Sequence, residues 1–275
     1  MYLGLEIIDE STIRTKIQKI HAMLSGKKIL VAFSGGVDSS TLAAISKESA
    51  KETLLVMQIG DSVATGEKEL ASRIASDLNL DLKYLNYNEF EESQSYAQNP
   101  ENRCYYCKWL LHDKLENLRR QLGFDYVVNG TNFSDLNGHR PGYQALLEFN
   151  VLSPFVDVQM TKPEIRHIAK DLGLVVWDKP ATPCLASRVK TGIPISSDSL
   201  RKIDRAEQFL RNHFSFQTVR VRLLENDNAS IEVEKNQIPL LHENFGLISA
   251  QLKKIGFTKI QIDPMGYRPY DPSLR

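Results

Sequence analysis

Six residues could grip phosphate: Ser34-Gly35-Gly36-Val37-Asp38-Ser39, placed between the apolar run 29–33 and the helix-compatible run 40–47. Adjacent glycines let the chain turn tightly with no Cβ in the way, so successive backbone N–H groups converge as an anion nest. The first turn of a helix that follows adds unpaired N–H groups and a potential that favours phosphate. Ser34, Ser39 and Ser40 can add hydroxyl donors. Asp38 would repel phosphate unless Mg²⁺ lies between them or its carboxylate accepts hydrogen bonds from the loop. The pattern is neither G-x-G-x-x-G nor the lysine-bearing G-x-x-x-x-G-K-[ST]. A loop without lysine suits a grip on the pyrophosphate end of ATP.

Three cysteines form the second chemical group: Cys104 and Cys107 as C-x-x-C, and Cys184 far downstream. An odd count in a reducing compartment argues against a disulfide framework and leaves metal binding or thiol chemistry. For the C-x-x-C four readings stand: plain buried residues, a dithiol redox pair, half of a zinc site, or iron–sulfur ligands. A closed zinc site wants four protein ligands, and no local spacing supplies the fourth. Three thiolates suit a [4Fe–4S] cluster with one iron open to external sulfide. Cys184 lies near Lys179, Arg188 and Lys190, and cationic neighbours favour a reactive or ligating thiolate over an inert buried thiol.

Polar residues at regular spacing form a third set. Arg220 and Arg222 stand two apart on the predicted strand 218–224 and so share one face. Paired guanidiniums suit a nucleotide's phosphate, although a solvated hairpin face reads the same way. Glu232, on the next predicted strand, could steady one of them or lie near substrate. Asp135, His139 and Arg140 follow the predicted strand 126–129, at the carboxyl end where α/β sites form. Glu207, on a predicted helix, could be a general base, a magnesium ligand or simply an exposed carboxylate. Lys108 follows Cys107 directly, where a surface lysine is the plain alternative.

The elements that must hold these residues alternate. Helix periodicity covers 11–24, 67–78, 108–122 and 162–172, and short apolar strands cover 29–33, 54–59, 82–85 and 126–129. That alternation is the signature of βαβ units with a parallel sheet buried under helices. The segment 179–199 carries three prolines and several small polar residues, and reads as a linker. Beyond it come a helix (198–212), two strands (218–224, 230–234) joined by a polar turn, a helical stretch (238–255) and a strand (259–263). The expected class is α/β, with a parallel-sheet domain over 1–180, a linker over 181–197 and a small α+β domain over 198–275.

At 275 residues the chain has room for both domains. Thirty-four basic side chains offset 34 acidic ones, so no global field draws nucleic acid or an acidic membrane, and any anion must be held locally. No stretch approaches the roughly 20 apolar residues that span a bilayer. The first ten residues include acidic ones where a signal peptide would be basic and apolar. A cytoplasmic protein with neither nucleic-acid nor membrane partner, acting as a homo-oligomer, is expected.

S-G-G-V-D-S on a first strand resembles the PP-loop of the ATP pyrophosphatase superfamily, which includes GMP synthetase, NAD synthetase and tRNA thiolases. The resemblance implies cleavage of ATP between the α and β phosphates, transfer of AMP to a substrate oxygen, and release of pyrophosphate. P-C-L-A-S-R-x-x-x-G at 183–192, G-T-N-x-S-D-x-x-x-H-R-P-G at 130–142 and V-R-V-R at 219–222 carry a closer one. With similarity over nearly the whole chain, they resemble the LarE family of sulfur transferases, which build the nickel-pincer nucleotide cofactor.

That resemblance implies adenylylation of a nicotinate-derived dicarboxylate, pyridinium-3,5-biscarboxylic acid mononucleotide, followed by sulfur delivery to give thiocarboxylates. ATP·Mg²⁺ would sit on Ser34, Gly35, Gly36, Asp38 and Ser39. Arg220, Arg222 and Glu232 would hold the substrate's phosphate end, while Asp135, Arg140 and Arg188 would face the substrate. Asp38, Lys108, Cys184 and Glu207 would lie at the reacting groups. Members with a single cysteine sacrifice the sulfur of the residue matching Cys184 and are left with dehydroalanine. Cys104 and Cys107 make this sequence similar instead to the three-cysteine branch. That similarity implies a [4Fe–4S] cluster on Cys104, Cys107 and Cys184, whose open iron carries sulfide supplied as such or by a cysteine-desulfurase-type donor.

Overall fold

The computed structural model describes residues 9–136 and 141–268. The chain opens with α1 (Glu10–Leu24), β1 (Lys28–Ala32), α2 (Val37–Ser49), β2 (Glu52–Ile59), α3 (Glu67–Asp77) and β3 (Asp81–Asn86). Two one-turn helices, α4 (Glu89–Glu92) and α5 (Gln94–Ala97), precede the long α6 (Arg103–Leu122) and β4 (Tyr126–Asn129). A 3-10 turn at Phe133–Leu136, α7 (Pro141–Glu148), α8 (Pro154–Asp157) and α9 (Lys162–Asp171) come next. Beyond a 3-10 turn at Leu185–Arg188 lie α10 (Ser197–Phe214), β5 (Val219–Leu224), β6 (Asn228–Val233), α11 (Ile238–Glu243), α12 (Phe245–Ile255) and β7 (Ile260–Ile262).

The residues divide into two compact units. The first holds the residues up to Ile59, Gly66–Asn86 and Cys104–Ala181; the second holds Gly60–Thr65, Tyr87–Arg103 and everything from Thr182 onward. In the first unit the strands lie in the order β3-β2-β1-β4, all parallel. Ile29, Leu30 and Val31 of β1 are all fully buried. Successive residues of a strand face opposite sides, so both faces of the sheet are covered, and this is why the run reads as continuously apolar. On one face Leu115 and Leu118 of α6 pack with Leu30, Val56, Phe124 and Val127.

The second unit has a three-stranded mixed sheet in the order β5-β6-β7, with β5 antiparallel and β7 parallel to β6. The parallel PP-loop-type α/β sheet and the smaller α+β region expected from sequence are therefore both present. Among the described residues no helix is long and apolar enough to cross a membrane.

Two helix starts differ from the sequence reading, and both concern the site. α2 begins at Val37, with Gly36 as its N-cap, so Asp38 and Ser39 lie in a helical first turn. α6 begins at Arg103, so Cys104 and Cys107 lie within the helix, ahead of the start near 108 that the periodicity gives. The carbonyl of Pro100 accepts the Arg103 N–H at 2.9 Å, and this turns the N-P-E-N stretch directly into the helix. The helical stretch 238–255 is broken at Asn244, whose side-chain amide donates to the Leu240 carbonyl at 2.9 Å.

Candidate functional site

β1 is followed by β2 on one side and flanked by β4 on the other. This makes the carboxyl ends of β1 and β4 a topological switch point, the place where open α/β sheets bind ligands. The glycine loop leaves β1 there. Gly35 takes φ +70°, and a Cβ on it would stand 3.1 Å from the Ala71 Cβ; both the conformation and the space call for glycine. Ser39 Oγ accepts the Ser34 N–H at 3.2 Å, donates to the Gly36 carbonyl at 3.2 Å and lies 3.1 Å from Ser34 Oγ. These bonds hold the turn closed. The N-cap Gly36 has no side chain to cap α2, so the first-turn N–H groups are suited to an anion. Ser40 is fully buried.

Asp38 points from that first turn toward two partners. Lys162 Nζ donates to its Oδ2 at 2.5 Å, and Asn132 Nδ2 donates to its Oδ1 at 3.3 Å. The same Asn132 amide donates to Asp135 at 2.8 Å. Burial pushes the Asp38 carboxyl above the usual carboxylate range; Lys162 pulls it back, and the charge of Asp135 pushes it up again. Sequence reasoning missed Lys162 and Asn132. The available signal for Lys162 was the helix start T-K-P-E, in which Glu164 accepts the Thr161 N–H at 2.6 Å.

On α6, Cys104 and Cys107 are half-buried. The start of α7 packs closely here, since a Cβ on Gly142 would lie 3.0 Å from Lys108 Cγ and 3.2 Å from the Cys104 carbonyl. His139 and Arg140 lie outside the described residues. Cys184 is exposed at the start of the 3-10 turn Leu185–Arg188.

The folded chain does not support the iron–sulfur cluster expected from sequence. A cluster held through three irons needs three thiolates converging on one cube. Among the described residues, no group of three or more His, Cys, Asp or Glu side chains could hold a metal ion. α6 offers a pair of thiols only. This finding overturns the assignment of Cys104, Cys107 and Cys184 as ligands of a [4Fe–4S] cluster, and with it the placement in a three-cysteine iron–sulfur branch.

The second unit gathers the arginines. Glu207 is wholly buried: its Oε1 accepts from Arg188 Nε at 2.9 Å and from the Val221 N–H at 3.1 Å, and its Oε2 accepts from Arg211 Nη2 at 2.7 Å. A carboxylate engaged by three donors holds those donors in position. Arg188 in turn donates to the carbonyls of Pro183 at 2.6 Å and Cys184 at 3.2 Å, so Glu207 steadies the thiol's segment through Arg188.

Arg222 donates to Glu232 and to the Ser187 carbonyl at 3.3 Å. Arg220 lies over the Tyr267 ring at 4.4 Å, and donates to the Tyr267 hydroxyl at 3.1 Å and the Arg268 carbonyl at 3.3 Å. Burial holds the Arg220 guanidinium below the usual arginine range, and Arg188 and Arg222 add to the effect. Four arginines (188, 211, 220 and 222) thus face two carboxylates (207 and 232), an excess of positive charge that suits a phosphate.

The family described as "Queuosine biosynthesis protein QueC" matches residues 28–102, which include the glycine loop. A pyridinium-3,5-bisthiocarboxylic acid mononucleotide synthase of Lactiplantibacillus plantarum is 27% identical over 261 residues, 94% of each chain. The uncharacterized protein slr1717 of Synechocystis sp. is 36% identical over 244 residues, 88% of this chain and 90% of the other. The uncharacterized protein MJ0830 of Methanocaldococcus jannaschii is 34% identical over 244 residues, 89% of this chain and 92% of the other. With more than a third of aligned residues shared along almost the whole of both partners, this chain belongs to the family of the Synechocystis and Methanocaldococcus proteins.

Proposed function

We propose that the protein is an ATP-dependent sulfur transferase that activates a carboxylate of pyridinium-3,5-biscarboxylic acid mononucleotide and replaces the activating AMP with the sulfur of Cys184. The observation that carries this reading is the similarity to the Lactiplantibacillus synthase across 94% of both chains. It spans the glycine loop as well as the arginine cluster, so it supports one enzyme using both, not a shared nucleotide fold alone.

ATP, with Mg²⁺ as its counter-ion, takes the 34–39 loop. Mg²⁺ is commonly bound through one or two carboxylates plus substrate phosphates, and Asp38 with Asp135 fits that modest demand. Arg220 and Arg222 take the substrate's phosphate. A substrate carboxylate oxygen attacks the α-phosphorus and pyrophosphate leaves, its charge stabilised by loop N–H groups. The Cys184 thiolate then attacks the acyl carbon, and AMP departs with the electron pair of its bond. Loss of the Cys184 Cα proton and cleavage of its Cβ–S bond yield a thiocarboxylate and dehydroalanine at 184. In this reading Glu207 is a positioning residue acting through Arg188, and Lys108 lies among the reacting groups.

The test is a single incubation with ATP·Mg²⁺ and the biscarboxylic mononucleotide, followed by nucleotide chromatography and mass spectrometry of the protein. AMP and pyrophosphate, no more than one sulfur transferred per chain, and dehydroalanine at position 184 are expected. Cys184→Ser should release pyrophosphate and make no thiocarboxylate. ADP as the product, or a Cys184→Ser variant that still transfers sulfur, would rule the reading out.

A further inference from the structure

The 34–39 loop contains no lysine, yet a pyrophosphate leaving group gathers negative charge that must be neutralised where it forms. A lysine does reach the loop, from an element distant in sequence. Lys162 is the first residue of α9, and its Nζ bonds the Asp38 carboxylate of the loop's helix. Its backbone is fixed as well: the Lys162 N–H donates to Ser134 Oγ at 3.0 Å, and this ties the start of α9 to the turn that presents Asn132 and Asp135. The ammonium carries three donors on a flexible stem, and its partner among the bonds of the described residues is Asp38.

Asp38 occupies the first turn of α2, where the helix end attracts negative charge. This carboxylate stands where a ligand anion would be favoured, and Lys162 stands on it as it would on a phosphate. We infer that Lys162 is the phosphate cation of the nucleotide loop, held on Asp38 while the loop is empty and passed to the phosphates when ATP binds. The inference deepens the proposed function and rests on the loop's being an ATP site. Asn132 then keeps Asp38 in place after the ammonium departs, because it bonds Asp38 and Asp135 together.

Calorimetric titration with ATP, in Mg²⁺ and separately in EDTA, tests this on the whole chain with Lys162→Met, Lys162→Arg, Asp38→Asn and the double variant Asp38→Asn/Lys162→Met. Thermal melting of each variant establishes that it is folded. In Mg²⁺, Lys162→Met should bind ATP about tenfold or more weakly and Lys162→Arg should keep most of the affinity, as for a charge-assisted contact. In EDTA, Asp38→Asn should bind ATP more tightly than wild type by about threefold or more, since it releases the ammonium and removes a charge that repels phosphate. The double variant should lose that gain.

A merely structural pair would weaken binding alike in both single variants. Wild-type affinity in Lys162→Met, or a double variant as tight as Asp38→Asn, overturns the inference. If Lys162→Met does not fold, the Asp38→Asn gain in EDTA decides: its absence overturns the inference. A folded wild type that binds no ATP in Mg²⁺ would instead defeat the nucleotide reading on which it rests.

Discussion

Two buried side chains show how position, not residue type, sets chemistry here. Glu207 is held by three donors, whereas His112 on α6 is 2% exposed, with its Nδ1 buried and unbonded among the described residues. Burial, helped by Lys108, brings the His112 pKa down from 6.5 to about 3. The folded imidazole therefore stays neutral where the unfolded one takes a proton. Because the unfolded state binds more protons across that interval, the stability is fully present above about 6.5 and is lost progressively as pH falls toward about 3. Between pH 7 and 5 this group should cost about 2 kcal/mol, at about 1.4 kcal/mol per unit once past its unfolded value. Urea unfolding at the two pH values should show that loss in wild type and a smaller one in His112→Phe; equal losses would show that another group titrates.

At the scale of elements, the nucleotide loop depends on how closely α2 approaches the end of β4. A Cβ at Gly130 would lie 2.9 Å from the Asp38 carbonyl carbon and 2.9 Å from the Ser39 nitrogen, both rigid backbone atoms of the first turn of α2. Gly130→Ala must then push the helix start away from the sheet. Such overpacking costs about 1–3 kcal/mol, and the displaced N–H groups would no longer converge on a phosphate. Denaturant unfolding should register the loss, and ATP titration should show affinity reduced by about tenfold or more, since small misplacements of a preorganised site are costly. A Gly130→Ala protein with wild-type affinity would mean that the phosphate grip does not depend on α2. In the second unit, Glu207 joins α10 to β5 through the Val221 N–H and to the Cys184 segment through Arg188.

Over the whole molecule the charges cancel: 34 basic and 34 acidic side chains, and a pI near 7.0. Any affinity for anions must therefore be local, and the proposed function assigns it to α2's first turn in one unit and to the arginine cluster in the other. Near-zero net charge also removes the repulsion that keeps proteins apart. Solubility measured by light scattering should pass through a minimum near pH 7 and rise on either side. A flat profile would show that the exposed charges are not distributed as their totals suggest.

Much of the architecture was legible in the residue pattern. The buried run 29–33 and the helix periods around it give the parallel sheet, because a strand covered on both faces must be apolar throughout and a packed helix must be apolar on one side. The phosphate loop was equally legible, since adjacent glycines before a helix are a local requirement of its geometry. Other facts depend on contacts between residues far apart in sequence, which no local pattern encodes. Lys162 meets Asp38 only because α9 returns to the end of β1, and Glu207 proves to be a buried anchor only once Arg188, Arg211 and Val221 have closed on it. The cysteines make the same point in the negative: spacing allowed three ligands, but convergence on one point is a property of the folded chain, and it is not met among the described residues.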